Sequence, residues 1–594
     1  MTSHFAEQVF LPGQRKAGQE VRDDLAAAAS GVATSVRSTY GPVGCDKLLV
    51  SVVGDVLITN DGATIVSHLS EKHPAARHII EAAGRQDEEV GDGTTSVVLL
   101  TADLLQRATV LVSRGVHPTV VISGLRNASK KALKIIKRHL VKSVDELEEK
   151  TLLQVASTSM SSKIIGSEVE LFSNIVVKAM QSVKSKTASG DAIYPVKAVS
   201  ILKCPGRPIA ESELLNGYGF PGDRASKLMP NLVNGAKIAM LDFDLKKKRL
   251  GMGIEMKVEN AEDLEGMQEK ESEMAIADVK LVLSSGCNVV MTTQGIDDLC
   301  MQYLVRAGVL AVRRVPKSDL KRIAKATGGE VVSSLASDIG IGEDEVFDAS
   351  TLGESESVSV EEIGRHDHIV LINGCKNTAA RTILLRGPNL HLLDEIDRSV
   401  HDSLCAVSKA LTKKFVVAGG GAVETCLSTI ISEMADHMDS KEAVGLRAFA
   451  ESLLSLPKQL ATNAALDSTD LIAALQAKHH EGVAALCSIS EHGSPEIFLE
   501  KESHILSAPE EEEIKLRKAA FKKFKETCFY GLNVLTGEVR NNLMAGVLEP
   551  AISKAKTIKT AIDTVIQLLR VDERVIIQPP KQDPRQQHPG GGMM

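Results

Sequence analysis

Residues 89–98 read EVGDGTTSVV, in which two glycines and an acid precede three hydroxyl residues and the start of an apolar run. The apolar positions after this turn recur at helical spacing, at Val97, Leu100, Leu104, Ala108 and Leu111. The pattern stops at Arg114-Gly115, so we predict a long helix that begins at the glycine turn. The free backbone N–H groups and the dipole at such a helix start attract phosphate.

Asp92 lies in the middle of this turn, where a carboxylate repels phosphate unless a cation lies between them. Mg²⁺ suits that place, because it binds one or two carboxylates together with phosphate oxygens and water. The alternative is structural: Asp92-Gly93 is an ordinary turn, and Thr94 or Thr95 caps the helix. The residues alone favour the structural turn over the Mg²⁺ site but do not decide between these two interpretations.

Composition indicates a packed protein with several domains. The 594 residues are about four times a typical single-core length, with 43% hydrophobic, 25% charged and 3% aromatic residues and no Trp. A net charge of -8 and the lack of basic clusters without acidic neighbours argue against a nucleic-acid partner. Nine cysteines without a C-x-x-C pair are expected to be buried thiols in a reducing compartment.

The printed N-terminus and the interior of the chain do not show the patterns expected of a secreted or membrane-spanning protein. The N-terminus has no apolar core of a signal peptide, and nowhere do about 18 apolar residues run together, so we expect neither secretion nor a membrane span. The C-terminal QPPKQDPRQQHPGGGMM is too polar and too rich in Pro and Gly to pack. We therefore expect a cytoplasmic protein whose partners are proteins or small anions.

Periodicity changes twice along the chain. The first 150 residues are mostly helical, with one helix over 18–39 and a hairpin formed by 47–53 and 56–59. Strand patterns at 237–245, 288–293, 309–315 and 330–335 alternate with helical patterns at 296–308 and 317–329. This β-α-β order predicts an open α/β sheet between about Asn216 and Gly374. Helical spacing returns from Ser399, so one domain is inserted into another.

Three further acidic or glycine-rich positions are candidates for a site. Asp61 precedes Gly62 after a strand, where Asp is common because it tolerates turns. Asp402 lies about 200° around its helix from Val400, off the apolar stripe, and is expected to face water or a cleft. A Ser-His-Asp triad with His401 and Ser403 is rejected, because adjacent helical residues do not face each other.

Val416–Gly421 predicts a strand that runs into a glycine turn and then a helix, a geometry that would let backbone approach a ligand closely. His479-His480 has no third ligand at metal spacing and is predicted to be a solvated helix end. The chain contains no G-x-G-x-x-G after a central strand and no P-loop motif. A soluble α/β metabolic enzyme, an alternative suggested by the central sheet, therefore lacks a cofactor fingerprint.

Seven stretches occur in the order known from chaperonins: TYGPVGCDKLLV, GDVLITNDGATI, EVGDGTTSVV, SMSSK ending at Lys163, DEIDRSVHDSL, VVAGGGAVE and GLNVLTGEVRNNLMAGVLEP. With them the chain resembles the group II chaperonins of the eukaryotic cytosol over nearly its whole length. Others, such as EKHPAARHIIE and GIDDLCMQYLVRAGVLAVRR, resemble one subunit type of that family rather than its paralogues.

The resemblance implies a multidomain chaperonin fold. A mostly helical equatorial domain would comprise 1–152 and 411–594, and a small intermediate hinge domain 153–215 and 375–410. An α/β apical domain would occupy 216–374, with a helical protrusion at about 246–273 acting as a lid. The segment of about 481–528 is longer than the family norm; its helix should carry Ile514, Phe521 and Phe524 on one side and be a surface feature.

The resemblance also implies the roles of single residues. Asp92 would hold Mg²⁺, Asp402 would position the attacking water with Asp61 close by, and Lys163 would sense the γ-phosphate. Glu549 would accept the ribose hydroxyls. The other expected nucleotide-binding residues are Thr39, Tyr40, Gly41, Gly93, Thr94, Thr95 and Ser96 for the phosphates, Gly419 and Gly420 for the nucleoside, and Asn533 and Val534 for adenine.

The implied function is that of an ATP-hydrolysing chaperone subunit. Its cofactors would be ATP and Mg²⁺, and hydrolysis would drive lid closure. Its partners would be paralogous subunits in a hetero-oligomeric double ring and unfolded clients such as cytoskeletal proteins, with no nucleic acid and no membrane. A chaperonin-like protein without hydrolysis is the alternative, and the retention of Asp61, Asp92, Asp402 and Lys163 argues against it. Tyr40 replaces the usual Leu beside the phosphate loop, a change expected to alter packing only.

Overall fold

A computed structural model describes residues 13–51, 53–69, 73–144, 150–166, 168–186, 190, 192–246, 273, 275–334, 347–362, 368–375, 381–489 and 511–577. The chain divides into two compact units. We call the first the terminal unit; it comprises Met1–Leu49, Thr59–Lys142 and Val417–Met594. The second, the central unit, comprises Val50–Ile58 and Ser143–Val416.

Helices make up most of the terminal unit and alternate with strands in the central unit. In chain order they are α1 Gln19–Arg37, α2 Gly62–His68, α3 Pro74–Val90, α4 Thr94–Ser113, α5 Pro118–Ile135, α6 Lys150–Met160, α7 Val169–Ser182, α8 Asp298–Arg306, α9 Lys317–Thr327, α10 Leu390–Lys413, α11 Ala422–Asp436, α12 Ala443–Leu453, α13 Ser455–Asn463, α14 Ser468–Cys487, α15 Glu511–Thr527 and α16 Ala551–Leu569. The content of many helices with some sheets agrees with the expected chaperonin fold at this coarse level.

The strands form several small sheets and one larger one. They are β1 Gly13–Ala17, β2 Lys47–Val50, β3 Val56–Thr59, β4 Lys142–Ser143, β5 Ser185–Lys186, β6 Ala192–Ile193, β7 Val199–Pro205, β8 Glu213–Leu215, β9 Tyr218–Pro221, β10 Leu232–Leu241, β11 Val289–Thr292, β12 Leu310–Val312, β13 Val331–Val332, β14 Gly353–Glu362, β15 His368–Cys375, β16 Arg381–Gly387, β17 Phe415–Ala418, β18 Tyr530–Asn533, β19 Glu538–Asn541, β20 Leu548–Pro550 and β21 Glu573–Ile577.

The core of the terminal unit forms around α4, which packs against α1, α3 and α16. Because α4 is apolar on nearly all sides, it suits the centre of a large core. Among the described residues it is also the one helix long and apolar enough to cross a membrane, yet most of its apolar stretch is buried within the protein. The helix predicted after the glycine turn is therefore confirmed as a core helix.

The larger sheet of the central unit has the order β12-β11-β10-β14-β15-β9, with β13 also paired to β10. The strands β10, β11 and β12 are parallel, and α8 and α9 connect the strands in the predicted β-α-β manner. The antiparallel strands β14, β15 and β9 were not predicted. In β14 the buried face includes Gly353 and Ser355, so the alternation of polar and apolar residues is weak.

A second, three-stranded sheet has the order β7-β16-β8 and packs against α10. That helix begins at Leu390, nine residues before the predicted start, because the Asn389 side chain caps it by accepting from Leu392 N at 2.8 Å. The predicted boundaries at 152 and 411 fall inside α6 and α10, whereas the compact units divide near 142 and 416. The separation into equatorial, intermediate and apical domains stays a prediction.

Several local predictions need correction. His479 is not solvated but buried in α14, where its Nε2 lies 3.0 Å from Tyr530 O and burial lowers its pKa to about 4. Helix α15 packs against α14 along the predicted side with Phe521 and Phe524, while Lys515, Lys518 and Lys522 on its other side are exposed, so it is a surface helix with one buried side. None of the nine cysteines, all of them within the described residues, is in a disulfide, but Cys45 is exposed and Cys375, Cys405 and Cys487 are partly exposed rather than buried. The predicted protrusion at about 246–273 lies outside the described residues except for its two end positions, 246 and 273.

Candidate functional site

The start of α4 is a glycine turn whose backbone groups are not capped by a side chain. Gly91 and Gly93 both have left-handed backbones, with φ of 74° and 81°. Gly93 is the N-cap, so the predicted capping by Thr94 or Thr95 is wrong. The Asp92 carboxylate accepts from Gly93 N at 2.7 Å and stays beside the helix start. This geometry leaves N–H groups of the first turn for an anion.

The glycine turn before α4 contacts Gln86 of α3 and residues of α16. Gln86 is buried in α3 and donates from Nε2 to Asp92 O at 3.1 Å and to Thr557 Oγ1 at 3.4 Å. A Cβ atom on Gly93 would lie only 2.9 Å from Thr557 Oγ1 and 3.4 Å from Ser553 Oγ. The turn therefore requires glycine at 93, both for its backbone conformation and for the close approach of α16.

The end of α1 approaches the same helix start. The Ser96 hydroxyl donates to Tyr40 Oη at 3.4 Å, and Asn463 Nδ2 donates to Tyr40 O at 2.7 Å. Burial raises the pKa of Tyr40 to about 12, so its hydroxyl stays neutral. Gly41 has a φ of 92°, and a Cβ atom there would overlap the Leu460 side chain at 2.4 Å. Tyr40 thus adds a hydroxyl beside the predicted phosphate residues, where only a change in packing was expected.

Asp61 is the N-cap of α2. Its carboxylate accepts from Thr64 N at 3.0 Å and from Thr64 Oγ1 at 2.6 Å. The next residue, Gly62, packs so closely that a Cβ atom would lie 2.1 Å from Thr95 Oγ1. Asp61 therefore follows a strand at a turn, as the sequence indicates, and also caps α2, which does not decide whether it has a role in a site. The same contact brings it next to the start of α4.

The strand β17 leads into the glycines 419–421 and then into α11, as predicted. Gly419 N donates to Val547 O at 2.9 Å, and Leu532 N donates to Gly420 O at 2.9 Å. These bonds bring the glycine turn, β18 and β20 together. Asn533 is engaged within its own turn, where Nδ2 donates to Thr536 Oγ1 at 2.6 Å, and Val534 follows it at the end of β18.

A buried cluster of charges lies next to this glycine turn. Lys554 Nζ is 2.8 Å from Glu424 Oε1 and 2.8 Å from Glu549 Oε2. Although burial lowers the pKa of Lys554, the two carboxylates hold it well above its usual value. Burial raises the pKa of Glu549, which Lys554 opposes. A Cβ atom on Gly419 would lie 2.6 Å from Glu549 Oε1, so glycine gives this carboxylate its space.

Sequence reasoning named Glu549 but missed Lys554, Glu424 and Gln86. Glu424 lies in AVETCLSTII, where it is the one charge in the first turn of a strongly apolar helix. A charge at that position was a signal for a buried partner. Lys554 gave no comparable signal, because a lysine in the first turns of a helix is usually solvated.

The central unit contains the other two predicted residues, Lys163 and Asp402. Lys163 follows the end of α6, and its Nζ lies 2.9 Å from Asp402 Oδ2 on α10. The Lys163 side chain is 9% exposed and that of Asp402 17% exposed, so Asp402 lies off the buried side of α10 and is partly accessible, in agreement with the expectation that it faces water or a cleft. The adjacent Ser403 is buried and its hydroxyl lies 3.5 Å from Ala156 O, in line with rejection of the triad.

Within the described ranges, no group of three or more His, Cys, Asp or Glu side chains forms a metal site. A Mg²⁺ ion would therefore take few protein ligands and most of its oxygens from phosphates and water, which is its usual preference. Asp92, placed at an uncapped helix start, fits such a role.

Comparison with known proteins was made for the whole chain. The profile of the TCP-1/cpn60 chaperonin family matches residues 32–579. T-complex protein 1 subunit alpha of Dictyostelium discoideum is 42% identical over 574 residues, covering 97% of each chain. The protein of the same name from Tetrahymena pyriformis is 43% identical, covering 97% of this chain and 99% of its own. A thermosome subunit of Methanopyrus kandleri is 32% identical over 94% of this chain and 92% of its own.

Proposed function

Because the chain belongs to the TCP-1/cpn60 chaperonin family, we propose that it binds and hydrolyses ATP to drive the folding of client proteins. It is a chaperone subunit of the group II chaperonin type, which is ATP-dependent and works in a hetero-oligomeric ring. One observation carries the site assignment. The uncapped start of α4, with Asp92 in its glycine turn, lies in the same unit as the glycine turn that contacts Glu549.

Nucleotide binding would use the residues that meet in the terminal unit. The N–H groups and hydroxyls of Gly93, Thr94, Thr95 and Ser96, with the chain end of α1 at Thr39–Gly41, would bind phosphate oxygens. The backbone of Gly419 and Gly420, which has no side chain to interfere, would lie against the nucleoside. Asn533 and Val534 would flank adenine, and Glu549 would accept the ribose hydroxyls. Asp92 would hold Mg²⁺, which neutralises phosphate charge when bound.

Hydrolysis would require a water molecule aligned with the γ-phosphate. We assign its orientation to the Asp402 carboxylate, supported by Asp61, and contact with the γ-phosphate to Lys163. In the described structure Lys163 and Asp402 neutralise each other. A phosphate that draws Lys163 away would release the Asp402 carboxylate for water, and the two events would be linked. Hydrolysis would drive closure of a lid at 246–273.

Partners and location are proposed here from the known members of the family. Paralogous subunits would complete a double ring, and the clients would be unfolded proteins such as cytoskeletal proteins in the cytoplasm. Neither nucleic acid nor membrane is part of this proposal. The net charge of -8 supports protein partners over nucleic acid.

The test is Asp402→Ala in the full chain, assembled in its native particle. We expect ATP to bind nearly as before, while turnover in this subunit falls roughly 10²- to 10⁴-fold, because the interaction exists only in the transition state. Nucleotide occupancy of this chain after incubation with ATP resolves it from other subunits. ATP should persist here while neighbouring subunits hold ADP.

Asp397→Ala is the matched control. Asp397 lies on the same helix and is also paired with a lysine, Lys203, at 2.7 Å. We expect that variant to hydrolyse ATP at the parent rate. If ADP appears in the Asp402→Ala chain as fast as in the parent, the proposal is contradicted. If the parent chain binds ATP without hydrolysing it, the non-hydrolysing alternative is supported.

A further inference from the structure

Lys554 joins three parts of the terminal unit that are distant in sequence. It lies in the first turn of α16, Glu424 lies in the first turn of α11, and Glu549 lies in β20. Both ion pairs measure 2.8 Å, and the Lys554 and Glu424 side chains are only 10% and 3% exposed. Burial of a lysine at this depth is costly, so two carboxylates with good geometry are needed to compensate.

The two carboxylates differ in what surrounds them. Glu424 is almost fully enclosed, whereas Glu549 remains 22% exposed. Lys554 binds Glu549 through Oε2, and the other oxygen, Oε1, lies against Gly419. One oxygen of Glu549 is thus held by the lysine, and the second stays beside the glycine turn. Glu424 fixes the lysine in turn, because its own position in α11 is rigidly packed.

We propose that Lys554 is a positioning residue that orients the Glu549 carboxylate, so that Oε1 accepts the ribose hydroxyls of the bound nucleotide. Glu424 anchors Lys554 and has no contact with the nucleotide. This inference rests on the proposed function, which assigns the ribose to Glu549. A lysine that only stabilised the fold would affect all nucleotides equally, whereas a positioning lysine affects the recognition of ribose.

The experiment compares ATP with 3′-deoxyATP on the full chain in its native particle. Labelling of this chain by photoactivated 8-azido-ATP is competed with each nucleotide, and the concentrations that halve labelling give a preference ratio. In the parent we expect ATP to be preferred roughly tenfold or more, the effect of a hydrogen bond to a charged group. Glu549→Ala should abolish the preference.

Two variants remove the lysine. Lys554→Met leaves two buried carboxylates without a cation, and this chain is at risk of failing to assemble. The double variant Glu424→Gln with Lys554→Met restores the net charge of the parent cluster and removes the same ammonium group. We expect both to lower the preference ratio to about that of Glu549→Ala, since Glu549 loses the partner that orients it.

Lys556→Met serves as the control, because Lys556 lies on the same helix and pairs with Glu89 away from the cluster. Its preference ratio should equal that of the parent. If the double variant keeps the parent ratio while Glu549→Ala loses the preference, the positioning role of Lys554 is overturned. The assignment of the ribose to Glu549 then still stands. If Glu549→Ala keeps the parent ratio, the ribose assignment itself fails, and the inference fails with it.

Discussion

The two units each contain a buried lysine paired with carboxylate, and the pairs differ in how firmly they are held. Lys554 and Lys163 are about equally enclosed, at 10% and 9% exposure. Lys554 lies within a helix between two carboxylates, one of them 3% exposed. Lys163 lies beyond the end of α6, and its partner Asp402 is 17% exposed. Lys554 therefore has one partner, Glu424, that is more deeply buried than Asp402, whereas its other partner, Glu549, is more exposed at 22%. We expect Glu424 to keep Lys554 in place and the Lys163–Asp402 pair to separate more readily.

The difference agrees with the roles proposed for the two pairs. A positioning group has to keep one orientation, and two carboxylates from separate elements restrict Lys554 in this way. A group that contacts the γ-phosphate only after ATP binds has to change partner, which needs a less enclosed pair. The cost of separating two charges falls as water gains access to them.

The largest expected effect is on stability. Lys554→Met should destabilise the terminal unit by about 3–5 kcal/mol, because two buried carboxylates lose their cation. Lys163→Met should cost the central unit about 1–2 kcal/mol, since Asp402 retains access to water. Hydrogen exchange of the α16 and α10 amides reports each unit separately. Equal losses in the two helices would mean that the pairs do not differ.

Gly93→Ala tests how tightly α16 holds the phosphate turn. We expect a loss of about 1–3 kcal/mol, because a φ of 81° strains alanine and its Cβ would lie 2.9 Å from Thr557 Oγ1. Gly84→Ala in α3 is the control, since nothing lies within 4 Å of its added Cβ. That change should stabilise α3 by roughly 0.5–1 kcal/mol. Thermal unfolding of the assembled particle, followed by exchange in α3 and α4, measures both.

Asp92→Ala tests the assignment of Asp92 as a Mg²⁺ ligand in the terminal unit. We expect Mg²⁺-dependent ATP affinity to fall roughly tenfold with the fold retained, because a Mg²⁺ ligand is lost at the surface of the turn. Affinity measured in EDTA should change little or rise, since a carboxylate no longer repels phosphate. Equal affinities of parent and variant with Mg²⁺ present would favour a purely structural turn.

Tyr40→Phe is expected to have the smallest effect on stability and on nucleotide affinity. The hydrogen bond from Ser96 is long, at 3.4 Å, so its loss should cost about 0.5 kcal/mol or less. Nucleotide affinity should shift less than threefold, the equivalent of about 0.6 kcal/mol. A larger loss of ATP affinity, measured by competition labelling, would show that the Tyr40 hydroxyl binds the nucleotide directly. Ser96→Ala distinguishes the two cases, because it removes the same bond from the other side.

Local patterns predicted the elements that surround the site. The spacing of apolar residues and the positions of glycines predict the glycine turn before α4, α4 itself, β17 and α11. These elements are predictable because each depends on residues close together in sequence. The antiparallel strands β14 and β15 escaped detection. In β14 the buried positions include Gly353 and Ser355, so alternation gives little hydrophobic signal. In β15 the buried positions form a continuous apolar run at 369–372, whose periodicity does not distinguish a strand from a short buried helix. The sequence also predicts Thr94 or Thr95 as the N-cap of α4, whereas the N-cap in the structure is Gly93.

The sequence by itself determined which residues could take left-handed turns and which helices had to be buried, since both properties are set within a few residues. It also provided Asp92, Asp402, Lys163 and Glu549 as candidates through the resemblance to chaperonins. Only the tertiary structure decided which charges meet. Glu424, Glu549 and Lys554 come from three elements, and Lys163 meets Asp402 across two helices. Such pairs depend on packing between distant segments, which periodicity along the chain does not encode.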